Sequence, residues 1–371
     1  MKAARVKPSI DAKTAARIVT GRRLCWSRGF TLIELMVSLA LGTLILLALT
    51  LVFSRNTGNQ SELERSTRML ESARFALDIL SENILHAGYY GPFNPDLLDP
   101  PSPPALKFSA PDPCEDRPRF LGWDTATVTP TLPPAIRGVG ALEVPACLAN
   151  RRAGTQAITL RHMHTGAPIP LDSMEAGNLY LQVSRCGHDP SSPPELRQIF
   201  AGIKGDNFPL KNLACNAVTD SVRRFVSRTY YIANCNDCSS GGDGILTLKR
   251  VELVNGALQT TSLAEGIENL QVEYGVDTNS DGWPDEFVRA TEVHDTQALA
   301  DAAGFSARVW WNVVSARVHL LARNTQPTPD YTDPRTYVLG PGVSVAPADA
   351  FKRTLMTSTV RLVNVGGRRE L

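Results

Sequence analysis

The ten residues Asp277-Thr278-Asn279-Ser280-Asp281-Gly282-Trp283-Pro284-Asp285-Glu286 form the densest set of oxygen donors in the sequence. Donors stand at positions 1, 3, 5 and 9 of a loop whose sixth residue is glycine, the pattern in which hard oxygens wrap a calcium ion. Position 12 is Val288 instead of Glu, so Asp285 or Glu286 has to close the shell. The expected ligands of a structural calcium are therefore Asp277, Asn279, Asp281, Trp283 through its carbonyl, Asp285 and Glu286. The plain alternative is a solvated Asx/Gly turn between two strands.

Cysteine supplies the second candidate chemistry. Of seven cysteines, Cys25 stands apart near the N-terminus, leaving Cys114, Cys147, Cys186, Cys215, Cys235 and Cys238. An even set in an extracytoplasmic domain reads as disulfides, with fifteen pairings open. Cys235-Asn236-Asp237-Cys238 could instead be a redox C-x-x-C or half a zinc site, but no second C-x-x-C exists and a thioredoxin-like flank is missing. The six histidines show no metal spacing, and His162-Met163-His164 reads as a partly exposed pair on one strand face. Nucleophile-elbow, phosphate-loop and dinucleotide motifs are absent, and an enzyme is not expected.

A third group is a single carboxylate. Residues 30–53 are 24 positions of apolar character whose one charge is Glu34. Such a run crosses a hydrocarbon core of about 30 Å as a helix. A carboxylate inside it costs several kcal/mol and marks a functional site by default. The net charge of +1 hides a division. Residues 1–29 hold eight Lys/Arg against Asp11, while the remainder holds 30 basic and 36 acidic residues. The positive-inside rule puts residues 1–29 in the cytoplasm and the body outside, and an acidic body offers no nucleic-acid surface. The run is too long for a cleaved secretory signal and no small-residue cleavage site follows it.

Arg28-Gly29-Phe30-Thr31-Leu32-Ile33-Glu34 resembles the class III signal of type IV prepilins and type II secretion pseudopilins. The resemblance implies cleavage between Gly29 and Phe30 by a prepilin peptidase, N-methylation of Phe30, and pairing of Glu34 with the terminal amine of a neighbouring subunit. Within that group the chain resembles the PilW family of large minor pilins. The similarity lies in Arg74-Phe75-Ala76-Leu77 through Ala87-Gly88-Tyr89-Tyr90-Gly91, in Val272-Glu273-Tyr274-Gly275-Val276-Asp277, and in Val314-Ser315-Ala316-Arg317-Val318-His319-Leu320-Leu321 with Thr359-Val360-Arg361-Leu362. Major pilins usually carry a proline midway along the apolar helix; residues 44–53 have none, which favours a minor subunit.

These groups need elements to hold them. A seven-residue repeat of Leu63, Leu70, Leu77 and Ile84, interleaved with Ser66, Ala73 and Leu80, predicts an amphipathic continuation of the helix. Gly88, Gly91 and Pro92 end it. Residues 91–170 hold 15 of the 26 prolines and predict an irregular layer that packs through Cys114, Phe120 and Trp123. Strands are expected over 157–162, 178–185, 224–234, 245–254, 266–276, 313–323 and 354–363, with a short helix at 295–303. The sum is an α+β, type IV pilin-like chain: leader 1–29, filament-core helix 30–53, amphipathic continuation 54–87, and an antiparallel β-rich head over 88–371.

The same resemblance implies a minor pilin of pilus assembly that primes polymerisation at the filament tip. It would sit in the inner membrane as a single span with its head in the periplasm, then at the pilus tip on the cell surface. Its partners would be other minor pilins, the major pilin, the prepilin peptidase, the inner-membrane assembly platform, a tip adhesin and membrane lipid. Two rivals are a GspJ-like minor pseudopilin of type II secretion and a membrane-anchored, calcium-dependent binding protein outside any filament.

Overall fold

The computed structural model describes residues 29–93, 95, 107–125, 130–184, 186, 199–218, 221–293 and 309–370. Residues 1–28 of the expected leader 1–29, and the expected helix 295–303, lie outside the described residues. The chain divides into two units, residues 1–59 and 60–371.

One helix, α1, runs over Leu32–His86. Its hydroxyls bond inward: Ser38 Oγ donates to Glu34 O, Thr43 Oγ1 to Ala40 O and Thr50 Oγ1 to Leu46 O. No side-chain donor in that apolar stretch then needs water. The helix stops where Gly88 turns left-handed at φ +76°, with its N–H donated to Arg161 O. A Cβ there would also lie 2.8 Å from Val365 Cγ2, so glycine is required for space as well as for conformation.

Within the second unit, α1 buries Met69, Ala73, Ala76, Leu80 and Ile84, while Leu63 is 68% and Leu70 37% exposed. The expected leucine stripe is corrected by about one row. A strict seven-residue repeat drifts about 20° per heptad on a straight helix, so a row that is buried at Ile84 has rotated away by Leu63. The interleaved small residues face the core instead, and Ala73 and Ala76 let the backbone approach closely.

Two antiparallel sheets receive this face. The first contains β1 (Ile136–Val139), β2 (Ala157–Met163), β3 (Tyr180–Val183), β4 (Ile199–Gly202), β5 (Ser221–Ala233), β6 (Thr247–Val254) and β7 (Ala257–Glu265). Its spine runs β7-β6-β5-β2-β1, with β3 and the short strand Ile169–Pro170 also on β5, and β4 on β3. The second contains β8 (Ile267–Val276), β9 (Glu286–Arg289), β10 (Val313–Arg323) and β11 (Arg353–Arg361), in the order β9-β8-β10-β11. Seven of these strands lie where the sequence places them, β10 over the same residues 313–323. One core joins α1, Ile158, Leu160, Tyr230 and Leu248 of the first sheet, and Leu270, Val272, Tyr274 and Val318 of the second.

Strand β8 is buried along its whole length, with polar side chains on the face away from that core. Each is answered by a neighbour: Glu268 by Arg353 and Arg152, Gln271 by Gly154 O, Glu273 by His319 and Arg317. In the first sheet Arg228 joins Glu252 to Asn83 Oδ1 of α1, fixing the helix on the strands. Burial alone would raise the Glu252 carboxyl, but Arg228, Arg224 and Arg250 outweigh it and hold it below the ordinary range.

The described part of the proline-rich stretch 91–170 is irregular up to β1 apart from the two-residue parallel pair Lys107–Phe108 with Thr131–Leu132 and a single 3-10 turn at Pro118–Phe120; β1, β2 and the short strand Ile169–Pro170 follow. Trp123 packs edge-on against Tyr90 and Phe225 at 5.2 and 5.6 Å, whereas Phe120 is 57% exposed and does not take part. The fully buried Arg161 donates to Pro134 O and Pro111 O, supplying donors to carbonyls that have no strand partner.

Candidate functional site

The N-terminal segment presents its chemistry openly. Among the described residues beyond its chain neighbours, no atom lies within 4 Å of the position a Cβ on Gly29 would take, and Phe30 is exposed. Thr31 and Glu34 close on each other. Thr31 N and Oγ1 both donate to Glu34 Oε2, at 3.0 and 2.9 Å, and Glu34 N donates to Thr31 Oγ1 at 3.3 Å. This is a reciprocal capping box, with Thr31 as N-cap and Glu34 three residues on. From sequence alone Glu34 has only an intermolecular role; the T-x-x-E spacing is the signal for this second, intramolecular one. From Leu32 to Ser54 the 23-residue stretch has none of its apolar surface buried, and it is the one helix among the described residues long and apolar enough to cross a membrane.

The Asp277 loop joins β8 to β9 and is held by its own backbone. Asp277, fully buried, accepts from Asn279 N (3.2 Å) and Ser280 N (2.6 Å) at Oδ1 and from Gly282 N (3.0 Å) at Oδ2. The same Oδ2 accepts from Arg369 Nη1 at 2.9 Å, and Arg369 Nη2 reaches Trp311 O and Asn312 Oδ1. Asp285 Oδ2 accepts from Thr278 N and Oγ1, bonds that hold its carboxyl below the usual carboxylate range, backbone bond foremost. Asn279 Nδ2 donates to Asp281 Oδ2 and Asp285 Oδ1, and Trp283 N to Asp281 Oδ1. Trp283 itself is exposed and lies under the Arg361 guanidinium at 4.0 Å, while Glu286 begins β9.

Of the six expected calcium ligands, Asp277, Asn279, Asp281 and Asp285 have side-chain oxygens that accept from N–H and hydroxyl groups of the loop and, at Asp277, from Arg369. Among the described residues no group of three or more His, Cys, Asp or Glu side chains could hold a metal ion. Arg369 belongs to the C-terminal turn Gly366–Arg369, and no local spacing in the sequence points to it. The turn is pressed on the loop: a Cβ on Gly282 would lie 2.3 Å from Gly366 O.

The cysteines pair in chain order, Cys114 with Cys147, Cys186 with Cys215, and Cys235 with Cys238. The first ties the proline-rich layer to the loop after β1; the last closes the turn after β5. The two histidines of β2 and its end differ, in contrast to the expected partly exposed pair. His162 is buried, hydrogen-bonded through Nδ1 to Met163 O, and pushed down to about 4 mainly by desolvation, whereas His164 is exposed.

Residues 229–364 match the family model of Type IV Pilus-assembly protein W, and residues 27–50 that of the prokaryotic N-terminal methylation motif. The first spans the end of β5 through β11 and includes the Asp277 loop, but stops short of Arg369. A type IV-like pilin from Thermus thermophilus aligns over 80% of this chain and 98% of its own, at 10% identity and a TM-score of 0.31. No curated protein matches the chain. The methylation-motif match thus covers Gly29, Phe30 and Glu34, and the pilus-assembly match covers strands of both sheets of the head, from the end of β5 to β11.

Proposed function

We propose that this chain is a minor pilin of type IV pilus assembly, cut between Gly29 and Phe30 by a prepilin peptidase, methylated at Phe30, and held in the inner membrane by α1 with its head in the periplasm. It then enters the filament, where it helps to prime polymerisation at the tip beside other minor pilins and the major pilin. The observation that carries this reading is the unburied apolar surface of Leu32–Ser54 directly after an accessible Gly29-Phe30. At 1.5 Å per residue this stretch is about 35 Å long, enough for a bilayer core. Lipid covers it first, and the apolar helices of neighbouring subunits replace the lipid in the filament. The exposed Leu63, Phe75 and Leu85 extend that apolar contact beyond the membrane segment.

Glu34 carries two duties in this scheme, and one substitution separates them. Gln at the third helical position also satisfies a capping box. Glu34→Gln thus keeps the helix start and removes the charge that would meet a neighbour's amine. In cells lacking the wild-type chain, Glu34→Gln should be processed and membrane-bound yet fail to restore surface filaments, counted by electron microscopy. Full restoration by Glu34→Gln would leave Glu34 as a helix cap only. Normal filament numbers in the deletion strain itself would remove the priming role.

For the Asp277 loop we infer that Arg369 takes the place a cation was expected to hold. The loop then needs no calcium to neutralise its buried carboxylate.

A further inference from the structure

We propose that Cys235–Cys238 is a thiol–disulfide exchange site, with Cys238 as the exchanging sulfur and Lys249 as the cation that stabilises its thiolate. Three observations carry it. The pair is separated by 3 residues, against 33 and 29 for the other two disulfides. A loop of this length constrains the unfolded chain least, so of the three bridges its opening costs the fold least. Next, the two sulfurs are unequal: Cys235 is buried and Cys238 half-buried at the surface. A partner can therefore reach one and not the other.

The third observation is the charge. Lys249 Nζ lies 3.3 Å from Cys238 Sγ and is fixed there by donating to Asn236 O at 2.9 Å. Lys249 is itself buried in β6, so its charge acts on the sulfur with little screening by water. A cation in contact favours the thiolate over the thiol and makes that cysteine the reactive one. The turn does not depend on the bridge for its shape. Asp243 accepts from Asn236 N, Asp237 N and Ile245 N, which fixes the backbone on both sides of the pair.

The partner is a protein carrying a surface dithiol–disulfide couple. In the oxidising direction the Cys238 thiolate attacks one sulfur of the partner's disulfide. A mixed disulfide forms, and the partner's second sulfur leaves as a thiolate. Cys235 then gives its proton to solvent and attacks Cys238 Sγ, and the partner's first sulfur leaves. Two electrons pass to the partner, which ends as a dithiol while Cys235–Cys238 closes; reduction is the reverse.

The full chain in detergent, equilibrated with graded mixtures of reduced and oxidised glutathione, then alkylated and read peptide by peptide by mass spectrometry, tests this. Cys235–Cys238 should open in a buffer tenfold or more less reducing than either other pair, and Lys249→Met should shift its midpoint several-fold while leaving the others in place. Opening of all three together, or no response to Lys249→Met, would overturn the assignment. Single cysteines give a readout that does not rely on the Lys249 variant. Glutathione disulfide should trap Cys238 in Cys235→Ser at least tenfold faster than Cys235 in Cys238→Ser; equal rates would also overturn it.

Discussion

The stretch 32–54 and the stretch 69–84 lie on one helix, yet their surfaces have opposite fates. In the first, leucines point in every direction and none of the surface is buried. In the second, a single row of Met69, Ala73, Ala76, Leu80 and Ile84 is buried and the other faces are polar or exposed. A helix that is apolar all round cannot be satisfied by one flank of one domain, whereas a stripe can. The first half is thus apolar on every side with nothing of its own head to cover it, and the second presents one stripe to its own head.

Mutations can break this contrast. The largest effect is expected where a buried charge loses its partner. Arg353, fully buried, meets Glu268, Asp333 and Asp349. Arg353→Met should cost about 3–5 kcal/mol of head stability, because the buried Glu268 and Asp333 are left with Arg152 and Arg335 alone and Asp349 loses its ion-pair partner. Arg369→Met should approach that figure through Asp277. Here calcium sharpens the comparison: the wild-type melting temperature should be the same with calcium and with chelator, and a rise with calcium would contradict Arg369 as the internal cation.

Next comes packing. Leu80→Ala removes a fully buried side chain from the interface between α1 and the sheets and should cost about 2–5 kcal/mol in a denaturant melt. Leu46→Ala, the same chemical change on the exposed half, should leave the head's melt within about 0.5 kcal/mol. Equal effects would mean that the two halves are not distinct.

Acid should loosen the head in two windows. His162 titrates at about 4 when folded against 6.5 ordinarily, so the unfolded chain binds the extra proton first and stability falls as pH drops from 6.5 to 4. Asp333 follows. Burial would raise its carboxyl, but bonds from Arg335 and Tyr337 prevail and bring it down to about 2 from 3.8. Its contribution is whole above 3.8 and is lost as pH falls towards 2. Thermal melts across pH 7 to 2 should show both slopes, the upper one absent in His162→Phe and the lower one in Asp333→Asn.

What the sequence disclosed depended on how local each cause was. Residues 313–323 gather β-branched and apolar positions within one run, and β10 occupies that run. Strand β7 went unseen because Gln259, Thr260, Thr261 and Ser262 suit an edge strand facing water. Its signal was Asn255-Gly256, both left-handed, the two-residue turn that pairs Val254 with Ala257. Glu34 was legible as functional from its charge in an apolar run, whereas its capping role, signalled by a spacing of three from Thr31, emerges only from the folded helix start. Arg369 was not legible, since it meets Asp277 across 92 positions and only the folded C-terminal turn brings them together.

The N-terminal peptide of the protein recovered from the membrane fraction tests the central claim most directly, by mass spectrometry. A peptide that begins at Phe30 with a methylated amine, with the apolar helix intact after it, is expected. A peptide that begins upstream of Gly29 would contradict it, leaving α1 as a plain membrane anchor and the head outside any filament.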